Sequence, residues 1–404
     1  MSLTPGPVLV PGPGSAMMGR EEGIPPAMPI PRALLAAPLV LSLLGLGTAS
    51  LPSEPHSTPA ASYLPRLVVQ GGAPAAALLA RNSAYPPYDF YSSAGSGIRS
   101  DDHFRAGSIT KTFVATVVLQ LADEGRLRLS DPVDRYLPGL IRGNGNDGRH
   151  ISLRALLSHT SGLSDYTDVP GAADGAGPSA RVRSAAGAVR AAVARNPAPT
   201  RGIYSYSNTN YAVLGLVVQR VTGHTYATEI RHRILTPLHL DGTSLPGART
   251  GLPAPHSRGY HRDRPEETLR DVTALDPRFA GAAGELISTL TDLNRFYTAL
   301  LSGRLLPPAR LRELLDTRTA QGVYALGIYP QRLSCGITVW GHDGRIQGSF
   351  ARTVATRDGG HTLTFRINTD ALSDEALETG LVEAEFCPAP PPAGQPRNSQ
   401  PRNR

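Results

Sequence analysis

The segment 108–124 (SITKTFVATVVLQLADE) is an almost unbroken apolar run set between Gly107 and Gly125. That pattern predicts a helix, with the second glycine as its C-terminal stop. A helix that is apolar on every face has to be wrapped by other elements, so the chain must build a sizeable core around it. The run also carries the only lysine of the protein: of 40 lysines and arginines, all but Lys111 are arginine. Arginine replaces lysine for solubility and ion pairing, but it does not lose its proton at useful pH. A position that keeps lysine against that background needs an amine able to act as a base.

Ser108 opens the same run. An i, i+3 spacing puts its hydroxyl and the Lys111 amine on one face, about one turn apart. The helix N-terminus favours negative charge developing at Ser108. A serine hydroxyl becomes a nucleophile when a neighbouring base takes its proton, and burial lowers a lysine pKa so that the neutral amine is within reach. S-x-x-K by itself recurs by chance, usually on a solvated helix; the surroundings of Lys111 have no solvated face. A hydrolase built on this pair needs three further parts: a proton carrier for the leaving atom, donors for the oxyanion and a wall that aligns substrate.

Two segments offer them. Tyr204–Asn210 (YSYSNTN) is a polar loop leading into the apolar run 211–221, with a phenol at Tyr206 and an amide at Asn208. Turn chemistry and helix capping would use the same residue types. Segment 335–350 (CGITVWGHDGRIQGSF) alternates like a strand, and Asp358-Gly359-Gly360 supplies a hairpin turn before a further strand to about 369. Glycines on a strand edge let a substrate backbone approach; an ordinary twisted edge strand would look the same.

The composition, 40% hydrophobic and 18% charged over 404 residues, suits one globular domain with poorly ordered ends. Residues 1–31 and 388–404 are rich in proline and lack any apolar periodicity. Between leader and body, the apolar stretch 33–47 follows Arg32 and ends near small residues, which describes a secretory signal better than a membrane anchor or a buried helix. Met28 as the start would give it ordinary signal-peptide length. Domain bounds follow: a leader and signal over 1–50, a catalytic domain over 51–387 and a disordered tail over 388–404. Export agrees with Cys335 and Cys387, which stand near no metal-spaced cluster and would pair in an oxidising compartment; two inert buried thiols are the alternative. Closing a loop of that size would stabilise by roughly 4 kcal/mol. The formal charge of +7 comes from scattered arginines not interleaved with aromatics, so a solvated basic face is expected and a nucleic-acid surface is not. No stable membrane span, metal site, cofactor motif or G-x-S-x-G elbow is visible, and a monomer is expected.

Taken together, the motifs FRAGSITK (104–111), LLSHTSGL (156–163), Tyr206-Ser207-Asn208 and His342-Asp343-Gly344 resemble the serine β-lactamase and penicillin-binding superfamily. The likeness is to its class C β-lactamase and secreted D-alanyl-D-alanine carboxypeptidase branch, runs from about 72 to 387, and includes the two-cysteine arrangement; a related motif triplet marks class A enzymes. The resemblance implies that Ser108 is acylated, with Lys111 and Tyr206 sharing the base and acid work. It implies further that Asn208 binds the substrate amide, that His342 and Gly344 form the wall strand, and that the backbone N–H groups of Ser108 and Arg345 make the oxyanion hole. Asp343 and Arg345 count with Asn208, His342 and Gly344 as the expected substrate-binding residues. His159 would be structural. The fold implied is an α+β, two-lobed β-lactamase-like one: an antiparallel sheet from strands near 68–92 and 336–369, flanked by an early helix and a C-terminal helix over 372–386, with a helical lobe inserted at about 116–270.

The third motif departs from the family pattern, which usually has a small hydroxyl residue where Asp343 stands and a small or hydroxylic one at Arg345. A carboxypeptidase has to bind a free carboxylate, which Asp343 would repel and Arg345 or Arg332 would attract. The expected activity is a D-alanyl-D-alanine carboxypeptidase on peptidoglycan stem peptides. An esterase or class C-like β-lactamase is the first alternative, and a non-catalytic penicillin-binding or cell-wall-binding protein the second.

Overall fold

The computed structural model describes residues 58–387, apart from 85–86, 170–183, 198–200, 265, 373 and 375. The expected leader, signal and C-terminal tail lie outside the described residues. Six antiparallel strands form the main sheet: β1 (Ala75–Asn82), β2 (Tyr88–Gly95), β3 (Tyr329–Arg332), β4 (Thr338–Ile346), β5 (Ser349–Thr356) and β6 (His361–Ile367). Their order is β2-β1-β6-β5-β4-β3, so the first and the last strand of the sheet pair with each other, with Ala76 opposite Ile367. The sheet therefore begins at 75 rather than near 68, because residues Tyr63–Val69 form a helix, α1.

Strand side chains alternate between two cores, as a period of two requires. Ala76, Leu78 and Ala80 of β1 join Leu363, Phe365 and Ile367 of β6 on one face, covered by Leu64 and Leu67 of α1 and by Leu377, Leu381 and Phe386. The last three come from the C-terminal helix, which spans Ala376–Phe386. Ala77, Ala351 and Ala355 face the larger core on the other side. That core contains α2 (Thr110–Asp123), α3 (Asn208–Thr222) and α4 (Leu290–Leu301). Small alanines on this face let the helices approach, and Phe113 of α2 stacks on Phe296 of α4 with ring centroids 3.6 Å apart. Each helix has a readable boundary: Thr289 caps α4 by accepting from the Asp292 amide, and α3 stops at Gly223 in the left-handed conformation.

α2 is wrapped as its composition demands, with Thr110 to Leu119 all buried. It is entered through a two-residue strand, Phe104–Arg105, paired with Ile287–Ser288, and a 3-10 turn, Gly107–Ile109. Between α2 and α4 lie helices and two small two-stranded sheets, Arg142–Gly143 with Asn146–Asp147 and Tyr260–His261 with Arg270–Asp271. Cys335 and Cys387 are joined by a disulfide that ties the β3–β4 turn to the end of the C-terminal helix. None of the described helices is long and apolar enough to cross a membrane.

Candidate active site

The pairing of β4 sets the site. β3 pairs with β4 only from Thr338 to Gly341, while β5 pairs with it as far as Ile346. The stretch from His342 to Ile346 is thus left without a strand on its outer side, and it runs past Ser108. Contact there is backbone to backbone: a Cβ on Gly344 would lie 1.8 Å from the Ala106 carbonyl oxygen and 2.9 Å from the Ser108 nitrogen. Gly107 completes the junction at φ +52, in the left-handed region, and a Cβ on it would lie 2.9 Å from the Arg345 nitrogen. The amides of Ser108 and Arg345 are thereby brought to one edge, the arrangement an oxyanion hole requires.

Ser108 sits half-buried in the 3-10 turn. Its Oγ lies 2.9 Å from Lys111 Nζ and accepts a hydrogen bond from the Tyr206 hydroxyl at 2.9 Å. Lys111 is completely buried and also reaches Asn208 Oδ1 at 2.8 Å and the Ala283 carbonyl at 2.6 Å. Burial pushes the Lys111 amine down to about 7, against partial opposition from the carboxylates of Asp165 and Asp343. A neutral amine has two N–H groups. Donating them to the two carbonyl oxygens leaves its lone pair facing the Ser108 hydroxyl. Burial likewise holds the Tyr206 phenol well above its usual value, so it stays protonated and can donate.

The next shell of contacts fixes these groups. Asp165 Oδ2 accepts from both the backbone N–H (2.9 Å) and the side-chain amide (2.8 Å) of Asn208, which turns Oδ1 toward Lys111. His159 stacks on Tyr206 with centroids 4.2 Å apart, and its Nδ1 accepts from the Ser207 N–H and the Asn210 amide. Burial drives its pKa well below the ordinary histidine value, so a neutral ring supports the phenol. His342 is buried too, pushed down to about 4, and donates from Nδ1 to the Asp343 carbonyl while accepting from Tyr324 at 2.8 Å.

On one side of Ser108 opens a cavity of about 420 Å³, bordered by Asn208, Tyr166, Phe279, Arg345, Ile346 and Asp370 among others. On the other side stands Asp343, half-exposed, whose Oδ1 accepts from the Tyr329 hydroxyl at 2.9 Å. Burial pushes the Asp343 carboxyl up, but its neighbours, chiefly the His342 ring, Tyr329 and the Arg352 guanidinium, outweigh this and leave it below the usual range. Every residue predicted for the site therefore borders Ser108 or its immediate partners. The expected carboxylate anchors are engaged otherwise: Arg345 borders the cavity, but its guanidinium is held by the Asp370 carbonyl at 2.8 Å and by Glu378, and Arg332 stands opposite Thr338 at the far end of the β3–β4 pairing. The cation nearest in register to Asp343 is Arg352, its partner on β5. Sequence reasoning missed Asp165, the Ala283 carbonyl, Tyr329 and Arg352. Of these, only Arg352 carried a usable signal, the register of the hairpin that turns at Gln347-Gly348.

The Beta-lactamase family model matches residues 62–383, and the chain belongs to that family, the serine hydrolases of the β-lactamase and penicillin-binding type. A D-stereospecific amidohydrolase from Streptomyces sp. is 42% identical, with 81% of this chain and 98% of that one aligned at a TM-score of 0.76. Penicillin-binding protein 4 of Amycolatopsis lactamdurans is 29% identical over 282 residues, 64% of this chain and 70% of the relative. A putative penicillin-binding protein, PbpX, of Bacillus subtilis is 27% identical, and the match spans 53% of its length.

Proposed function

We propose that the protein is an amidohydrolase that cleaves small D-configured acyl amides through an ester on Ser108. The observation that carries this reading is the bonding of Lys111, whose two donors are occupied by Ala283 and Asn208 while its third direction meets the Ser108 hydroxyl. As Ser108 Oγ adds to the substrate carbonyl, its proton passes to Lys111. The oxyanion meets the N–H groups of Ser108 and Arg345. The C–N bond then breaks, and the amine leaves with a proton delivered through Tyr206. Water attacks the resulting ester by the reverse proton path, releasing the acid and restoring the serine. The D-configuration is supported by the 42% identical Streptomyces amidohydrolase, and the cavity bordered by Phe279 and Tyr166 suits an apolar acyl side chain.

A D-alanyl-D-alanine carboxypeptidase acting on stem peptides is the second reading, because Arg352 stands across from Asp343 with its Nε unpartnered and relatives are named penicillin-binding proteins. The deciding assay sets hydrolysis of D- and L-phenylalanine amides and methyl esters beside D-alanine release from a diacyl-Lys-D-Ala-D-Ala peptide. We expect D-amide turnover that Ser108→Ala abolishes. D-alanine release without amide turnover would select the carboxypeptidase. Absence of both, together with no covalent labelling by a fluorescent penicillin, would leave a non-catalytic binding protein. Operation outside the cytoplasm is part of the proposal, supported by the disulfide.

A further inference from the structure

β4 passes Ser108 at Gly344, and its two halves meet different surroundings. After Gly344, residues Arg345, Ile346 and Gln347 border the 420 Å³ cavity. Before it, Asp343 lies outside that lining, at the part of the strand where β3 has already ended. Its Oδ1 is engaged by Tyr329, its side chain is 42% exposed, and Oδ2 has no hydrogen bond or ion pair among the described residues. Neither neighbouring guanidinium makes a hydrogen bond or close ion pair with Asp343: Arg345 turns to Asp370 and Glu378, while Arg352 bonds Gln331 at 2.5 Å and lies 5.9 Å over the Tyr329 ring, close enough for its charge to help keep Asp343 ionised.

Tyrosines line this flank. Tyr204 and Tyr329, both half-buried, each stack on Tyr324, with ring centroids 5.7 and 6.1 Å from it and planes within 30° of parallel. Burial is the main reason that the phenols of Tyr204, Tyr206 and Tyr329 hold their protons, and the negative charge of Asp343 reaches all three and adds to it. An anion beside an aromatic wall suits a cation, since the rings attract positive charge and displace the water that would screen it. Tyr206 belongs to the same flank and is the group assigned to protonate the departing nitrogen. The acyl part then occupies the cavity, and the leaving group faces Asp343.

We propose that Asp343, backed by Tyr204, Tyr206 and Tyr329, forms a cation subsite for the leaving group, so that the preferred substrates release amines carrying a second, positively charged amino or guanidino group. This rests on the amidohydrolase reading above and names its substrate class. The test keeps D-phenylalanine as the acyl group and varies the amine: 1,2-diaminoethane (cationic), propylamine (neutral) and glycine (anionic). For the wild type we expect kcat/KM for the cationic amide to exceed the neutral one by about fivefold, the scale of a half-exposed ion pair, and the anionic amide to be poorest. Asp343→Asn should bring the cationic-to-neutral ratio to about one, and Asp343→Glu should restore part of it. High salt should shrink the wild-type ratio without any substitution. Turnover of all three amides with no cationic preference, or a preference that Asp343→Asn leaves intact, overturns the subsite and spares the amidohydrolase reading. No turnover of any of the three overturns the subsite, and failure of D-phenylalanine amide beside them overturns both.

Discussion

Lys111 and Asp343 both border Ser108, yet they are held in opposite ways. Lys111 is fully buried, and each direction from its nitrogen ends on a fixed oxygen. Asp343 is half-exposed, with one carboxylate oxygen tied to Tyr329 and the other open. The contrast separates two jobs. Proton transfer depends on a shifted pKa and on hydrogen-bond reach, which burial and dense bonding supply. Selection among leaving groups depends on a partly exposed charge within reach of substrate, which a strand edge without a neighbour supplies. Substitutions at the first region should stop the reaction, whereas those at the flanks should redirect it.

The largest effect is expected from Lys111→Arg. The guanidinium keeps positive charge but cannot accept a proton, so acylation should fall by about 10³-fold, within the range for loss of a general base. Stopped-flow labelling with a fluorescent penicillin measures it directly, and normal acylation by this variant would refute the assignment of Lys111 as base. Gly344→Ala comes next. Its new methyl would meet the Ala106 carbonyl at 1.8 Å, forcing β4 away from Ser108 and parting the two oxyanion amides. Loss of one such donor costs about 10²-fold in kcat, and an unchanged thermal midpoint beside that loss would separate positioning from unfolding.

Much of the reaction centre was legible because its signals are local. Ser108, Lys111 and the enclosing glycines sit within one helical run, and the loss of every other lysine singled out the amine. The sheet was legible where strands alternate, as in the segment that became β4 to β6. What escaped was set by distance along the chain. Asp165 fixes Asn208 from 43 residues away, and the Ala283 carbonyl receives Lys111 from 172 residues away through a backbone atom that no side-chain pattern marks. The partners of Arg345 and Arg332 escaped for the same reason. Where a guanidinium is directed depends on distant groups: Arg345 borders the cavity but is tied to Glu378 and Asp370, and Arg332 stands at the far end of a β pairing.

The pH profile sharpens the comparison with a smaller effect. Lys111 works as a neutral amine, and its pKa is pushed down to about 7. Acylation should therefore rise with pH and level off above about 7, standing roughly tenfold below its plateau one unit under the pKa. His342, already neutral above about 4, adds nothing to that limb. Asp165→Asn removes one of the carboxylates that raise the Lys111 pKa, so the midpoint should move toward lower pH while the plateau falls because Asn208 is no longer held. A midpoint that stays fixed, or moves upward, would show that another group controls the limb.

The smallest effect belongs to the cavity flank. Phe279 borders the same cavity as Ser108 and is not among the hydrogen-bond partners of Ser108, Lys111 or Tyr206. Its backbone carbonyl accepts from the Tyr166 hydroxyl at 2.6 Å, an interaction that survives truncation of the side chain. Phe279→Ala should thus remove apolar contact with the acyl group while leaving the array around Ser108 as it is. The expected result is a rise of about fivefold in KM for D-phenylalanine amide, about 1 kcal/mol of lost contact, with kcat little changed and D-alanine amide hardly affected. Equal losses for both amides would mean that the cavity does not read the acyl side chain, and that the acyl group and the leaving group occupy the opposite flanks from those assigned here.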